Sequence, residues 1–237
     1  MNKALKNEKA KIDFRLEVVK KSEKAVVYLA GDIVDERPLD WWTGEPKEGD
    51  YITPKEVRDL FENIEEEKIE LHINSYGGSV FASIAIFNYL KALGKEITTV
   101  NDGICASGAS LIFMAGKQRV MPENTMLMIH RASTFAWGNC NDLREQADIL
   151  EKLDNSTVMV NYKNHFKGTD EELMDLIDKE TWLSADECFN YGFCTEVKNL
   201  VDPKEDRTKN TVDNENEILN KGIKLMQNFA NLKIKEI

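Results

Sequence analysis

The residues best suited to chemistry in this chain fall within one stretch, Ile73 to His130. A Gly77–Gly78 pair follows a strand-like run. A serine heads the apolar segment Cys105-Ala106-Ser107-Gly108-Ala109-Ser110, and a histidine closes Met126-Leu127-Met128-Ile129-His130. A turn able to offer backbone N–H groups, a hydroxyl nucleophile and an imidazole base are the parts that acyl transfer needs. Ser107 opens a helical segment, which places its hydroxyl near the positive end of the backbone dipole, and Gly108 leaves the next N–H unobstructed for a developing oxyanion. Serine is also a favoured helix cap, so Ser107 has a purely structural alternative. The segment does not match the G-x-S-x-G elbow, because Cys105 and Ala109 stand at its glycine positions. Nor is Gly77–Gly78 a Walker phosphate loop, since no Gly-Lys-Ser/Thr follows; glycines in such a turn can be purely conformational.

The chain has three histidines. His72 lies inside the apolar run Ile69–Asn74, where a packed core role is expected. His165 falls in a long helical pattern and should be half-exposed. His130 ends a strand, where side chains of α/β sheets emerge into a crevice, and is the best base.

These three parts need strands and helices to bring them together. Phe14–Val19, Ala25–Ile33, Ile69–Asn74, Ile97–Val100, Arg119–Met121, Met126–Ile129 and Cys194–Val197 read as strands. Thr53-Pro54-Lys55-Glu56 is a helix start with a capping box, and that helix should run to about Ile64. Val80–Leu93 has helical apolar spacing and stops at Gly94. Ser107–Ala115 reads as a short apolar helix, and Asn139–Phe166 as a long amphipathic one. Thr169…Glu172 and Ser184…Glu187 open two more helices. Strands alternating with helices imply an α/β fold with largely parallel strands. Asp35–Ile52 is a turn-rich excursion whose Trp41–Trp42 pair is expected to fold back on the domain, with a subunit contact as the alternative. Residues 1–24 form a basic N-terminal segment, 25–200 the main domain, and 201–237 a charged linker followed by an amphipathic helix (Leu219, Ile223, Met226, Phe229).

Composition narrows the function. The chain has 42% hydrophobic residues and a formal net charge of −11, ordinary for a globular protein and unfavourable for binding nucleic acid or anionic membranes. No run approaches the ~18 apolar residues of a spanning helix, and the Lys-rich start lacks the apolar core of a signal peptide, so a cytoplasmic location is expected. The four cysteines show no metal-ligand spacing, which argues against a metal site, and no cofactor motif is present. Cys105 and Cys188 should be buried thiols.

Taken in order, INSYGGSV, CASGAS, MLMIH and ETWLSADECFNYGF closely resemble the proteolytic subunit of Clp protease (ClpP), a serine peptidase family of crotonase-like fold, over roughly Ala25–Val197. The resemblance implies repeated strand–helix units with a long protruding helix, about 139–166. It makes Ser107 the nucleophile, His130 the general base, and Gly78 and Gly108 the oxyanion donors. The family's acid falls at Glu180, with Asp178 as the alternative; the family usually has aspartate there. Extended protein or peptide substrate would pair with backbone around Gly77–Ser79 and along Arg131, Ala132 and Ser133. The resemblance also implies homo-oligomeric rings, commonly heptamers stacked in pairs, with the long helix between rings. No counterpart of the family's apolar N-terminal loop, which engages an AAA+ unfoldase, is present, and residues 131–138 lack a Pro-Gly-Gly pattern. These departures are more like the phage and prophage branch, similar to capsid maturation proteases. The rival readings are a crotonase-like enzyme acting on an acyl-thioester and a catalytically silent assembly subunit.

Overall fold

The computed structural model describes residues 16–21, by backbone alone, and 24–200. The readings for 1–15 and 201–237, including the C-terminal amphipathic helix, lie outside the described residues. Everything below belongs to the compact unit that ends at Lys198.

An eight-stranded sheet runs in the order β1 (Leu16–Lys21), β2 (Lys24–Ala30), β5 (Lys68–Ser75), β6 (Glu96–Ala106), β7 (Gln118–Pro122), β10 (Glu196–Lys198). β8 (Met126–Ile129) also pairs with β6, and β9 (Thr181–Ser184) with β8. The β2–β5, β5–β6, β6–β7, β6–β8 and β7–β10 pairs are parallel; β1–β2 and β8–β9 are antiparallel. Parallel neighbours need crossovers, and helices supply several: α1 (Pro54–Phe61), α2 (Val80–Ala92) and α3 (Gly108–Phe113). This is the mostly parallel α/β architecture that the alternation of motifs predicts. β3 (Asp32–Ile33) and β4 (Tyr51–Ile52) form a separate small parallel pair.

The capping boxes act as their spacing predicts. Thr53 accepts from the Glu56 N–H at 3.1 Å while Glu56 accepts from the Thr53 N–H at 3.2 Å. Equivalent reciprocal caps start α4 (Cys140–Leu153) at Asn139, α6 (Asp170–Asp178) at Thr169 and α7 (Ala185–Tyr191) at Ser184. The long helix is one run of three parts: α4, a π-helical turn Asp154–Val158, and α5 (Met159–Lys163).

β6 is longer than the apolar run suggests. It continues through the polar residues Asn101 and Asp102 to Ala106, because it changes partners midway. Thr98–Val100 pair with β7, and Ile104–Ala106 with β8. Asn101, fully buried, bridges the gap: its Nδ2 donates to the Met126 carbonyl at 2.8 Å and its Oδ1 accepts the Gly103 N–H at 3.1 Å. The switch aims the C-terminal end of β6, and so Ser107, into a crevice.

Two expectations are corrected. The Trp41–Trp42 pair does not fold back: the residues are 84% and 79% exposed and pack edge-on against each other, 5.2 Å between centroids. Their turn is held by the Asp40 carboxylate, which accepts the Trp42 and Thr43 N–H groups at 2.9 Å, and by the Leu39–Pro46 bridge. His72 is not in the apolar core. Strand alternation sends Ile69, Leu71 and Ile73 inward and His72 to the opposite face. There its Nδ1 lies 2.6 Å from Asp102 and its Nε2 3.2 Å from Glu70.

Burial of the His72 ring opposes its charge, but Asp102 and Glu70 outweigh it and raise the pKa above 6.5. A raised folded-state pKa stabilises the fold below about 6.5, and that contribution is lost as pH climbs through the folded value. His72→Gln should therefore cost about 1 kcal/mol at pH 6. Urea unfolding against pH should show the gap to wild type closing toward alkaline pH; a gap that widens there would contradict the assignment.

Candidate active site

Ser107 follows β6 with φ 53 and ψ −126, a conformation that side chains normally avoid. Among the described non-glycine residues only Glu180 shares a positive φ. Such strain costs of order 1–3 kcal/mol and persists only where neighbours over-determine it. They do here. The Ser107 N–H donates to the Met128 carbonyl at 2.9 Å, and the Ser107 carbonyl accepts the Ser110 hydroxyl at 2.5 Å. The capping alternative is not what the chain adopts: Ser107 makes no side-chain cap bond, and its Oγ lies 2.7 Å from His130 Nε2. The strand–turn–helix elbow is thus present without its sequence signature. Gly77 makes the room, since a Cβ there would lie 2.6 Å from the Ala106 carbonyl oxygen and 2.8 Å from both the Gly108 nitrogen and Ser107 Cβ.

The diglycine turn is pinned from its other side. The Ile33 N–H donates to the Gly77 carbonyl and the Ser79 N–H to the Ile33 carbonyl, both at 2.8 Å. In this parallel bridge the Gly78 N–H points away from β3 and makes no hydrogen bond among the described residues. The Gly108 N–H opens α3 and has no acceptor within the helix. The structure therefore brings two unused amides, a hydroxyl and an imidazole to one place. Ser79 is committed elsewhere: its hydroxyl donates to Asp35 at 2.8 Å and accepts the Ala82 N–H, capping α2.

His130 is the first residue beyond β8. Among the described residues no carboxylate is hydrogen-bonded to its Nδ1. Asp178 instead accepts from Arg131 Nε at 2.5 Å, an ion pair that engages its carboxylate. Glu180 is exposed, in the turn between α6 and β9. The β8–β9 register pairs Met128 with Trp182 and Ile129 with Thr181. One step further along that register stand His130 and Glu180.

Arg131 also reaches Asp154 at 3.2 Å, and the Ala132 N–H donates to Asp154 at 2.8 Å. That amide is thus taken, whereas Ser133 makes no hydrogen bond among the described residues. A cleft of about 510 Å³ joins Gly78, Ser107, Gly108 and His130 to an apolar wall of Leu111, Leu150, Leu153 and Val158. The contributions of Asp154, Tyr162 and Ser110 escaped sequence reasoning. A buried aspartate midway along an amphipathic pattern was the available signal.

The fold and site define a class, a mostly parallel α/β sheet presenting a serine–histidine pair beneath a diglycine turn at its strand ends. The family model described as Clp protease matches residues 57–200, and the chain belongs to that family. It is similar to the ATP-dependent Clp protease proteolytic subunit of Deinococcus radiodurans, 31% identical over 134 residues, 56% of this chain and 65% of the relative. The corresponding subunit 2 of Thermobifida fusca is 32% identical over 135 residues, covering 56% and 66%. Subunit 2 of Tropheryma whipplei is 27% identical over 161 residues, covering 66% and 89%. The chain thus spans just under two-thirds of the first of these relatives.

Gly77→Ala should drive its methyl into the Ser107 turn at a φ of +99. We expect a loss of about 1–3 kcal/mol in stability and of reaction at Ser107 with a fluorophosphonate. Wild-type labelling in a folded Gly77→Ala protein would show that the close approach is not required.

Proposed function

We propose that the chain is a serine endopeptidase of the Clp type, with residues 25–200 as the catalytic unit. The observation that carries this reading is the 2.7 Å contact between His130 Nε2 and Ser107 Oγ beneath the free Gly78 and Gly108 amides. Ser107 attacks the peptide carbonyl as His130 accepts its proton. The two amides receive the oxyanion, and His130 then protonates the leaving amine. Glu180 is the orienting acid, favoured over Asp178 by the β8–β9 register and by the Arg131–Asp178 ion pair. Substrate lies extended between the Gly77–Ser79 turn and the Arg131–Ser133 segment, with an apolar side chain against Leu111 and Leu150.

Ser107→Ala should lower peptide turnover by about three orders of magnitude or more with an unchanged melting curve. Fluorophosphonate should label wild type at Ser107 and leave the variant unlabelled. Undiminished cleavage by the variant would remove Ser107 from the mechanism. Absence of labelling in assembled wild type would favour a silent assembly subunit.

The working form is a ring of copies stacked through α4. That helix buries none of its residues yet presents Leu143 and Ile149, preceded by fully exposed Phe135 and Trp137. An amphipathic helix with an uncovered apolar face calls for a partner surface, and the self-association implied by ClpP resemblance supplies one. The relatives are named as ATP-dependent subunits, whereas this chain's departures favour a phage or prophage role in capsid maturation. Leu143→Glu with Ile149→Glu should halve the native mass in solution, measured by light scattering. An unchanged mass would place the contact elsewhere.

A further inference from the structure

One helical run touches the neighbours of both halves of the proposed catalytic pair. α4 buries nothing, and the run first enters the core at Asp154, 4% exposed, where the π-helical turn begins. Single π-helical turns inside α-helices recur at functional sites. A carboxylate that deep is costly unless its oxygens are satisfied. Both are, and by the two residues that follow His130: Oδ1 accepts the Ala132 N–H at 2.8 Å and Oδ2 accepts from Arg131 Nη1 at 3.2 Å. Arg131 extends the link to Asp178, so the segment leaving His130 is tied to two helices at once.

Eight residues further on, Tyr162 is 1% exposed and its hydroxyl lies 2.6 Å from Ser110 Oγ. The single Ser110 proton is given to the Ser107 carbonyl at 2.5 Å, so the Tyr162 hydroxyl is the donor to Ser110. That chain holds the carbonyl of the strained residue itself. At 1.5 Å per residue, Asp154 and Tyr162 lie about 12 Å apart along the run. We propose that Asp154 and Tyr162 are positioning residues, Asp154 seating the His130 segment and Tyr162 the Ser107 turn, so that one helical run fixes the spacing of nucleophile and base. This rests on the peptidase reading above. It explains why a carboxylate and a tyrosine hydroxyl occupy positions that apolar side chains would fill more cheaply.

The test uses the full chain as Asp154→Ala, Asp154→Asn and Tyr162→Phe, with Ser156→Ala, exposed in the same turn, as the control. Asp154→Ala should lower kcat and the fluorophosphonate reaction rate at Ser107 by about tenfold or more, as small misplacements of reacting groups do, with KM nearly unchanged. Asp154→Asn keeps an acceptor for the Ala132 N–H and should recover most of the loss; Tyr162→Phe should fall between. Wild-type rates in a folded Asp154→Ala protein would overturn the proposal. So would equal losses in the alanine and asparagine variants that merely track unfolding in thermal melts. Should wild type itself neither cleave peptide nor label, the peptidase reading fails, and the brace is then judged from the 15N signals of the His130 ring. Signals displaced in Asp154→Ala but not in Ser156→Ala would support it, and unmoved signals would overturn it.

Discussion

The site depends on Ser107 being kept in a backbone conformation it would leave if free. With φ at 53, the turn presents the hydroxyl to His130 and at the same time exposes the next amide at the start of α3. Every neighbouring feature acts to hold that turn. β8 takes its N–H, Ser110 takes its carbonyl, and Gly77 offers a surface without a side chain against which the turn can rest. A cost of about 1–3 kcal/mol is a considerable share of the ~5–15 kcal/mol by which domains are stable. It is sustained because the turn leaves β6 in the middle of the sheet, just beyond the point where β6 exchanges β7 for β8, and is bonded to β8.

The three histidines are sorted by their surroundings. Both ring nitrogens of His72 are occupied by carboxylates, which favours the charged form, unsuited to accepting a proton. His165 is pushed the opposite way, to about 4, by burial and by Arg119, with a further push from Lys91. It stays neutral, but in a separate recess beside Lys95 and Lys117. Only His130 combines a nitrogen on a nucleophile with a place in the cleft. One sequence of net charge −11 thus raises the pKa of one histidine and lowers that of another through local contacts alone.

Much of this was legible in the residues because the relevant physics is local. Capping boxes act within three residues, so the starts of α1, α6 and α7 could be placed from Thr53, Thr169 and Ser184, while that of α4 came from its apolar spacing and its box at Asn139 went unread. Alternation and apolar runs located the strands that carry Ser107 and His130. What escaped was non-local. The extension of β6 through Asn101 and Asp102 depends on a partner exchange that no window of sequence contains. The ion pairs of His72 join β5 to residue 102 across the sheet, and the elbow lacks its glycines because Gly77, thirty residues earlier, does their work. The Trp41–Trp42 turn was misjudged for the opposite reason. Its local bonds through Asp40 are complete, so nothing draws it onto the domain.

Glu180, the proposed acid, shares a backbone feature with Ser107, the proposed nucleophile. Glu180 has φ 50, the other strained non-glycine conformation among the described residues, and it lies at the point where the β8–β9 register reaches His130. An aspartate is shorter by one methylene, so glutamate at 180 must fold its side chain back to meet Nδ1. In water that costs rotamer entropy and part of a carboxylate's hydration, and the exposed rotamer is favoured. Arg131 meanwhile engages Asp178, the alternative carboxylate, in an ion pair and commits it to a cation of its own.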